Sequence, residues 1–139
     1  MSNRARIVPL PYSVKVDADK RVVRVDVSGR FNAEEAPRMT TDARRAAAES
    51  GFNVLYDIRE ARAGKLENAD LFWLPRNVPA LKDPKAARVR VATVFIDCQR
   101  PIMEFWETAF RNVGLTARAF EDENAAVAWL QGSDLKPAV

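Results

Sequence analysis

The fold is decided by residues 88–114, which read RVRVATVFIDCQRPIMEFWETAFRNVG. The stretch opens with apolar residues that predict a strand buried on both faces, namely Val89, Val91, Ala92, Val94, Phe95 and Ile96. After a turn at 97–100, Pro101 suits a first helical position because its φ is fixed and it has no N–H. Apolar residues then recur on one helical face, at Ile102, Phe105, Trp106, Ala109, Phe110 and Val113. Gly114 predicts a left-handed stop, so the stretch is half of an α/β unit.

The rest of the chain supplies further strands and helices around this unit. They are predicted in this order: strands 12–17 and 21–28, helix 36–50, strand 52–58, helix 67–74, strand 115–120 and helix 123–131. The first two strands form an antiparallel hairpin, and the later strands are joined through helices. The order β-β-α-β-α-β-α-β-α therefore predicts a five-stranded, mostly parallel sheet with one antiparallel strand and helices packed on it.

Length and composition predict one soluble domain. The chain has 139 residues, of which 47% are hydrophobic and 29% charged. We expect an extended arm over 1–11, a single domain over 12–132 and a flexible tail over 133–139. No apolar run is long enough to span a membrane, and Pro9 and Pro11 interrupt the apolar patch that a signal peptide would need. With Cys98 as the one cysteine, a reducing, cytoplasmic location is expected.

Several classes of function find no support in the composition. The chain contains no histidine, which removes His-dependent nucleophilic catalysis and His-based metal sites. Its 22 basic and 19 acidic residues are interspersed, which does not predict a nucleic-acid partner. The five glycines form no nucleotide-binding motif. We therefore predict no catalytic residue, no metal site and no cofactor.

With this order of elements, the chain resembles the STAS-like, or SpoIIAA-like, domains, the fold of anti-sigma-factor antagonists and of single-domain relatives. The resemblance covers about residues 12–131. It rests on the hairpin VKVDADKRVVRVDVSGRF, the strand VLYDIREA and the ending FEDENAAVAWL. It implies a binding or regulatory module rather than an enzyme.

The chain departs from the antagonists that switch partners by phosphorylation. In those antagonists a serine or threonine lies where the central strand runs into the next helix. The matching residues here, 57–76, read DIREARAGKLENADLFWLPR and contain neither. A phosphate added there would contribute about −2 charge and release the partner. We expect no such switch in this stretch, whereas constitutive protein binding stays open.

Polar residues at the carboxyl ends of the predicted strands suggest a ligand site. Ligands of open α/β sheets bind at this rim. Two aspartates and three arginines are expected there and could hold a small anionic or zwitterionic ligand: Arg30, Asp57, Arg59, Asp97 and Arg100. The alternative is that the aspartates satisfy loop amides and nearby arginines.

Cys98 precedes a helix start, where a thiolate is favoured. A phosphatase-like loop would need an arginine at position 104, which is Glu104, and no histidine could act as a base. Cys98 is therefore predicted to be a buried or inert thiol.

The helix at 67–74 carries four consecutive apolar residues, 71–74, which cannot all face one sheet. Either Pro75 ends or kinks the helix and lets the segment bury them, or Phe72 or Trp73 is exposed and marks a partner surface, a dimer interface or a lid.

Two functions follow from these sites. The first is a non-enzymatic binding or regulatory module that engages a protein partner, a second copy of the chain or a small ligand. The second is a small enzyme or a carrier of a lipid-like ligand, with a polar pocket around the rim residues.

Overall fold

The computed structural model describes residues 10–64 and 66–132. Most of the arm predicted over 1–11 and all of the tail predicted over 133–139 lie outside these residues. Five strands are present: β1 (Tyr12–Asp17), β2 (Val22–Phe31), β3 (Asn53–Ala63), β4 (Arg90–Val94) and β5 (Thr116–Phe120). The helices are α1 (Ala36–Ser50), α2 (Asn68–Asn77), α3 (Pro79–Lys82), α4 (Arg100–Arg111) and α5 (Glu123–Leu130). The predicted order is confirmed, with the one-turn α3 added.

The strands lie in the sheet in chain order, β1-β2-β3-β4-β5. β1 is antiparallel to β2, and all other neighbouring pairs are parallel. This confirms the predicted sheet with one antiparallel strand.

Helices cover the sheet unequally. Alternate residues of each strand point to opposite faces, so Val23 and Val54 belong to one apolar cluster and Val22 and Leu55 to the other. The larger cluster contains buried apolar residues from α1, α2 and α4. The smaller one is completed by α5, through Ala126, Trp129 and Leu130.

β3 is longer than predicted, because the loop expected over 59–66 begins as strand. After Asp26 pairs with Asp57, the register shifts so that Ser28 pairs with Glu60, and pairing continues to Phe31 and Ala63. The shift inserts one extra residue into β3, which is a β-bulge. The paired extension of β2 supplies hydrogen-bond partners that the sequence pattern did not reveal.

The strand and the helix predicted within residues 88–114 are both present, but they end at different residues from those predicted. Ile96 lies beyond the end of β4 and is exposed, because the chain turns into a 3₁₀ segment at Asp97–Gln99. Val113 is also exposed, because α4 ends at Arg111. Met103 is buried instead, beside Trp106 and the other inward residues.

Two helices differ from prediction in ways that affect the candidate site. The inward face of α1 contains the alanines Ala36, Ala43 and Ala47 together with Thr40 and Arg44, and all five are buried. α2 does not end at Pro75; Pro75 is buried and the helix continues to Asn77.

Candidate functional site

An apolar cavity lies between the sheet and helices α1, α2 and α4. Its volume is about 120 Å³. The sheet contributes Val27 and Tyr56, and the helices contribute Met39, Leu71 and Trp106. Acidic residues are absent from the lining in the described part of the chain.

Four polar side chains face this apolar space from the sheet and α1. They are Thr40, Arg44, Tyr56 and Thr93, and each is buried. The Arg44 guanidinium donates Nη1–H to the carbonyl oxygen of Ala86 at 3.0 Å. Thr40 hydrogen-bonds the Tyr56 side chain. Burial lowers the pKa of Arg44 and raises the pKa of the Tyr56 hydroxyl, which is therefore neutral near pH 7.

The cavity reaches the surface near the carboxyl end of β3. Ala61 is partly exposed, and Arg62 and Ala63 are exposed, yet all three contribute to the lining. The Gln99 side-chain amide donates to the carbonyl oxygens of Ile58 and Ala61, at 2.8 and 3.1 Å. These bonds tie the 3₁₀ segment before α4 to the bulged end of β3, and so fix one side of the opening.

The predicted rim residues separate into three groups. Asp57 and Arg59 lie within β3, on the face that α5 covers, not at the end of the strand. The Arg59 Nη2 lies 2.8 Å from Asp57 Oδ2 and 2.8 Å from Glu123 Oε1. Arg24 joins the same network, at 2.9 Å from Asp57 and 2.8 Å from Glu123.

This network lowers the pKa of both carboxyl groups. For Asp57 the largest cause is the hydrogen bond from Arg59, and for Glu123 it is the hydrogen bond from Arg24. Both carboxylates are therefore ionised and paired at neutral pH.

Asp97 and Arg100 form a second, exposed group. The guanidinium of Arg100 pairs with Asp97 at 3.1 Å and also with Glu121. The hydrogen bond that Arg100 donates to Asp97 is the largest cause of the raised Arg100 pKa.

Arg30 lies apart from both groups. It lines a surface depression beside the cavity opening, together with Asn32, Glu34, Glu67 and Asp70. The structure therefore does not bring the five predicted rim residues into one site, and a ligand at any of these three groups stays a prediction.

The surface predicted at Phe72 and Trp73 is exposed. Phe72 is 38% and Trp73 is 53% accessible, whereas Leu71 and Leu74 are buried against the core. The two rings contact edge to face, with centroids 5.1 Å apart, and the Arg76 guanidinium lies 3.8 Å from the centroid of Phe72. The exposure required by the second predicted arrangement of α2 is therefore present, and the partner surface, dimer interface or lid stays a prediction.

Cys98 is exposed, so the part of its prediction that allowed burial is wrong. Cys98 lies in the 3₁₀ segment between β4 and α4, and its thiol is at the surface. In residues 10–64 and 66–132, no three His, Cys, Asp or Glu side chains converge to hold a metal ion.

Sequence reasoning missed the polar side chains inside the cavity. Arg44 follows Ala36, Thr40 and Ala43 at helical spacing, so periodicity alone places it on the inward face. A charged side chain at this spacing is nevertheless typical of an exposed position, so the sequence gives no signal for its burial. Tyr56 lies in a recognised buried strand, and nothing in the sequence indicates that Arg44 packs beside it.

These features define a small α/β domain with an apolar cavity that opens at the surface, in the architecture of the SpoIIAA-like fold. A solved structure described as an uncharacterised DUF3478-family protein with a SpoIIAA-like fold, from Shewanella loihica PV-4, is 22% identical. It covers 86% of this chain and 91% of its own, with a TM-score of 0.52. The solved structure of the anti-sigma factor antagonist SpoIIAA in its unphosphorylated form is 10% identical. That match covers 87% of this chain and 98% of the SpoIIAA chain, with a TM-score of 0.50.

At these identities the two structures show the fold alone. No protein-family model matches the chain, and no curated protein matches it either. Among the described residues, each helix is too short or too polar to cross a bilayer. A cytoplasmic location stays a prediction.

Proposed function

We propose that this chain is a non-enzymatic binding module that holds one small, largely apolar molecule in the cavity beneath α1, α2 and α4. The observation that carries the proposal is the cavity itself, an apolar space of about 120 Å³ that opens at the surface. Protein interiors are normally packed without such voids. An apolar cavity of about 150 Å³ accommodates benzene, so a ligand of similar size fits here.

This function changes the location of the predicted carrier pocket. The sequence placed a polar pocket at the strand ends, around Asp57 and Asp97. In the structure Asp57 is neutralised by two arginines on the other face of the sheet, and Asp97 pairs with Arg100. The apolar cavity is the better candidate because its buried wall can exclude water from a ligand. The absence of Ser and Thr from residues 57–76 fits a module without the phosphorylation switch.

The test is an NMR titration of the purified protein with 1-pentanol and with pentanoate. Saturable shifts of residues that line the cavity are expected with at least one of them. Ala61→Trp should reduce the affinity at least about tenfold, because the larger side chain blocks the opening. Ala48→Trp, on the exposed side of α1, is the matched control and should bind as the wild type does. Shifts that do not saturate, or that Ala61→Trp leaves unchanged, would contradict the proposal.

A second candidate function, contact with another copy of this chain, is favoured by the exposed Phe72–Trp73 pair. Asp70 lies three residues before Trp73 in α2, and Arg76 lies three residues after it. A two-fold axis through Trp73 would place Asp70 of one copy opposite Arg76 of the other, and so join two aromatic pairs through complementary charges. A third possibility is a different protein partner on the same surface. The assembly state of the pure protein distinguishes this possibility from contact between two copies of the chain.

A further inference from the structure

Arg44 introduces a charge into the cavity without an acidic counterpart. Arg44 is buried, with 8% of its surface exposed. It donates to the Ala86 carbonyl, and in the described part of the chain no carboxylate forms an ion pair with it. A buried charge without a partner is costly, and a guanidinium has five N–H donors that can serve an acceptor.

The neighbouring polar groups favour an anion as the missing partner. The side chains of Tyr56, Thr40 and Thr93 line the same cavity, and the hydroxyl groups of Tyr56 and Thr93 can each donate a hydrogen bond, while Thr40 is engaged with Tyr56. The exposed Arg62 adds a second positive charge near the opening, where it would attract an anion from solution. No aspartate or glutamate in the described lining opposes these groups.

The remainder of the cavity restricts the anion to a small amphipathic molecule. Most of its lining is apolar, including Leu71, Leu74, Met103 and Trp106. One guanidinium is buried inside, so it can neutralise one negative charge. A dianion such as a phosphate monoester would retain an unpaired charge in an apolar space.

From the burial of Arg44 beside these hydroxyl groups, we propose that the ligand is a small monocarboxylate whose carboxylate pairs with Arg44 and whose hydrocarbon part fills the apolar remainder. A planar carboxylate matches the donor fork of a guanidinium. This inference rests on the function proposed above and specifies the class of ligand.

The experiment compares pentanoate with pentanamide, a neutral molecule of nearly the same shape. In an NMR titration at pH 7, the wild type should bind pentanoate at least about tenfold more tightly than pentanamide, since charge-assisted hydrogen bonds are about twice as strong as neutral ones. Butyl phosphate should bind more weakly than pentanoate.

Two substitutions separate charge recognition from support of the fold. Arg44→Gln keeps an uncharged N–H donor on the same helix face, and Arg44→Met has neither a charge nor a donor. Both should lose the preference for pentanoate over pentanamide. Arg45→Met is the control, because the Arg45 side chain is 65% exposed on the same helix, and it should keep the preference. Circular dichroism establishes that each variant is folded; if Arg44→Met is not, Arg44→Gln carries the test.

The outcomes distinguish this inference from the proposed function. Equal affinities for pentanoate and pentanamide in the wild type, or a preference that persists in Arg44→Gln, would overturn the carboxylate assignment and leave the cavity as a binding site. Tighter binding of butyl phosphate would overturn it as well. If neither these three molecules nor 1-pentanol bind in the cavity, the proposed function itself fails.

Discussion

Asp57 shows how much the surroundings of one residue decide its effect on stability. Its carboxylate is 15% exposed and pairs with Arg24 and Arg59, whereas the Asp97 carboxylate is 87% exposed and pairs with Arg100. Exposed ion pairs contribute little, because water and salt screen them. Removing one partner of a partly buried network leaves the remaining charges poorly compensated.

We predict that Asp57→Asn lowers the free energy of unfolding by about 1–2 kcal/mol at pH 7, whereas Asp97→Asn changes it by less than about 0.5 kcal/mol. Urea denaturation of the two variants measures both values. An equal effect of the two substitutions would show that the network on the α5 face adds no more than a surface pair.

The same network predicts the response to acid. Folding lowers the pKa of Asp57 and Glu123, so the stabilisation is complete above the pKa values of the unfolded chain. It is lost as the pH falls through the still lower values of the folded protein. Between about pH 5 and pH 2.5 the wild type should therefore lose more stability than Asp57→Asn. Unfolding curves at several pH values give this slope, and parallel curves for the two proteins would contradict it.

For single residues, the sequence indicated which charged side chains to consider, but it did not indicate which of them contact one another. Asp57 and Arg59 are two residues apart in a strand, so their shared face could be expected. Their partner Glu123 comes from α5, 64 residues further along the chain than Arg59. No local pattern connects them. The bulge in β3 is hidden for the same reason, since it depends on pairing with the extended end of β2.

Among the elements, α4 was the one that the sequence described best. Its apolar periodicity gave the inward face, with errors only at the ends and at Met103. The helix therefore provides a test in which one residue type occupies two environments. Phe110 is buried, and Phe105 is only partly buried.

We predict that Phe110→Ala lowers the free energy of unfolding by about 3–5 kcal/mol, because it leaves a cavity in the core. Phe105→Ala should cost less, about 1–2 kcal/mol, because part of its surface already contacts water. Thermal or urea denaturation of the pair measures the difference. A larger loss for Phe105→Ala would mean that α4 is rotated so that Phe105, and not Phe110, faces the core.

The turn after α4 supplies a second test. Gly114 has a φ of +87°, and a Cβ there would meet no heavy atom within 4 Å. Gly114→Ala should therefore be destabilising by about 1 kcal/mol through backbone strain alone. Gly114→Asn should cost less, because Asn tolerates the left-handed conformation better than Ala. Matching losses in the two variants would point to a cause other than φ.

For the whole molecule, the exposed aromatic pair makes the assembly state measurable. If a second copy contacts this surface, native mass spectrometry of the wild type should show a dimer and Trp73→Ala should shift it to monomer. Reversing the charges in Arg76→Asp should weaken the dimer, and adding Asp70→Arg should restore it. Ile96→Ala, which removes another exposed apolar side chain, is the control. A monomeric wild type would leave the surface to a different partner.

The overall architecture was predictable because the alternation of strands and helices leaves few arrangements. Strand order and the distribution of helices over the two faces were not predictable. They depend on which apolar surfaces fit together, as in the packing of α5 alone against Leu55 and Ala92. The cavity was hidden for the same reason, since it is a property of three helices and a sheet that meet without filling the space between them.

The order of strands in the sheet also bears on how the chain folds. Every strand pairs with its neighbour along the chain, so no strand has to wait for a distant segment before it can pair. Short closures lose little chain entropy, and contacts that are local in sequence speed folding. The sheet can therefore assemble by successive addition, starting from the β2–β3 pair and ending at its two outer strands. We expect amide hydrogen exchange to be slowest in β3, the central strand of the five, and fastest among the strands at β1 and β5.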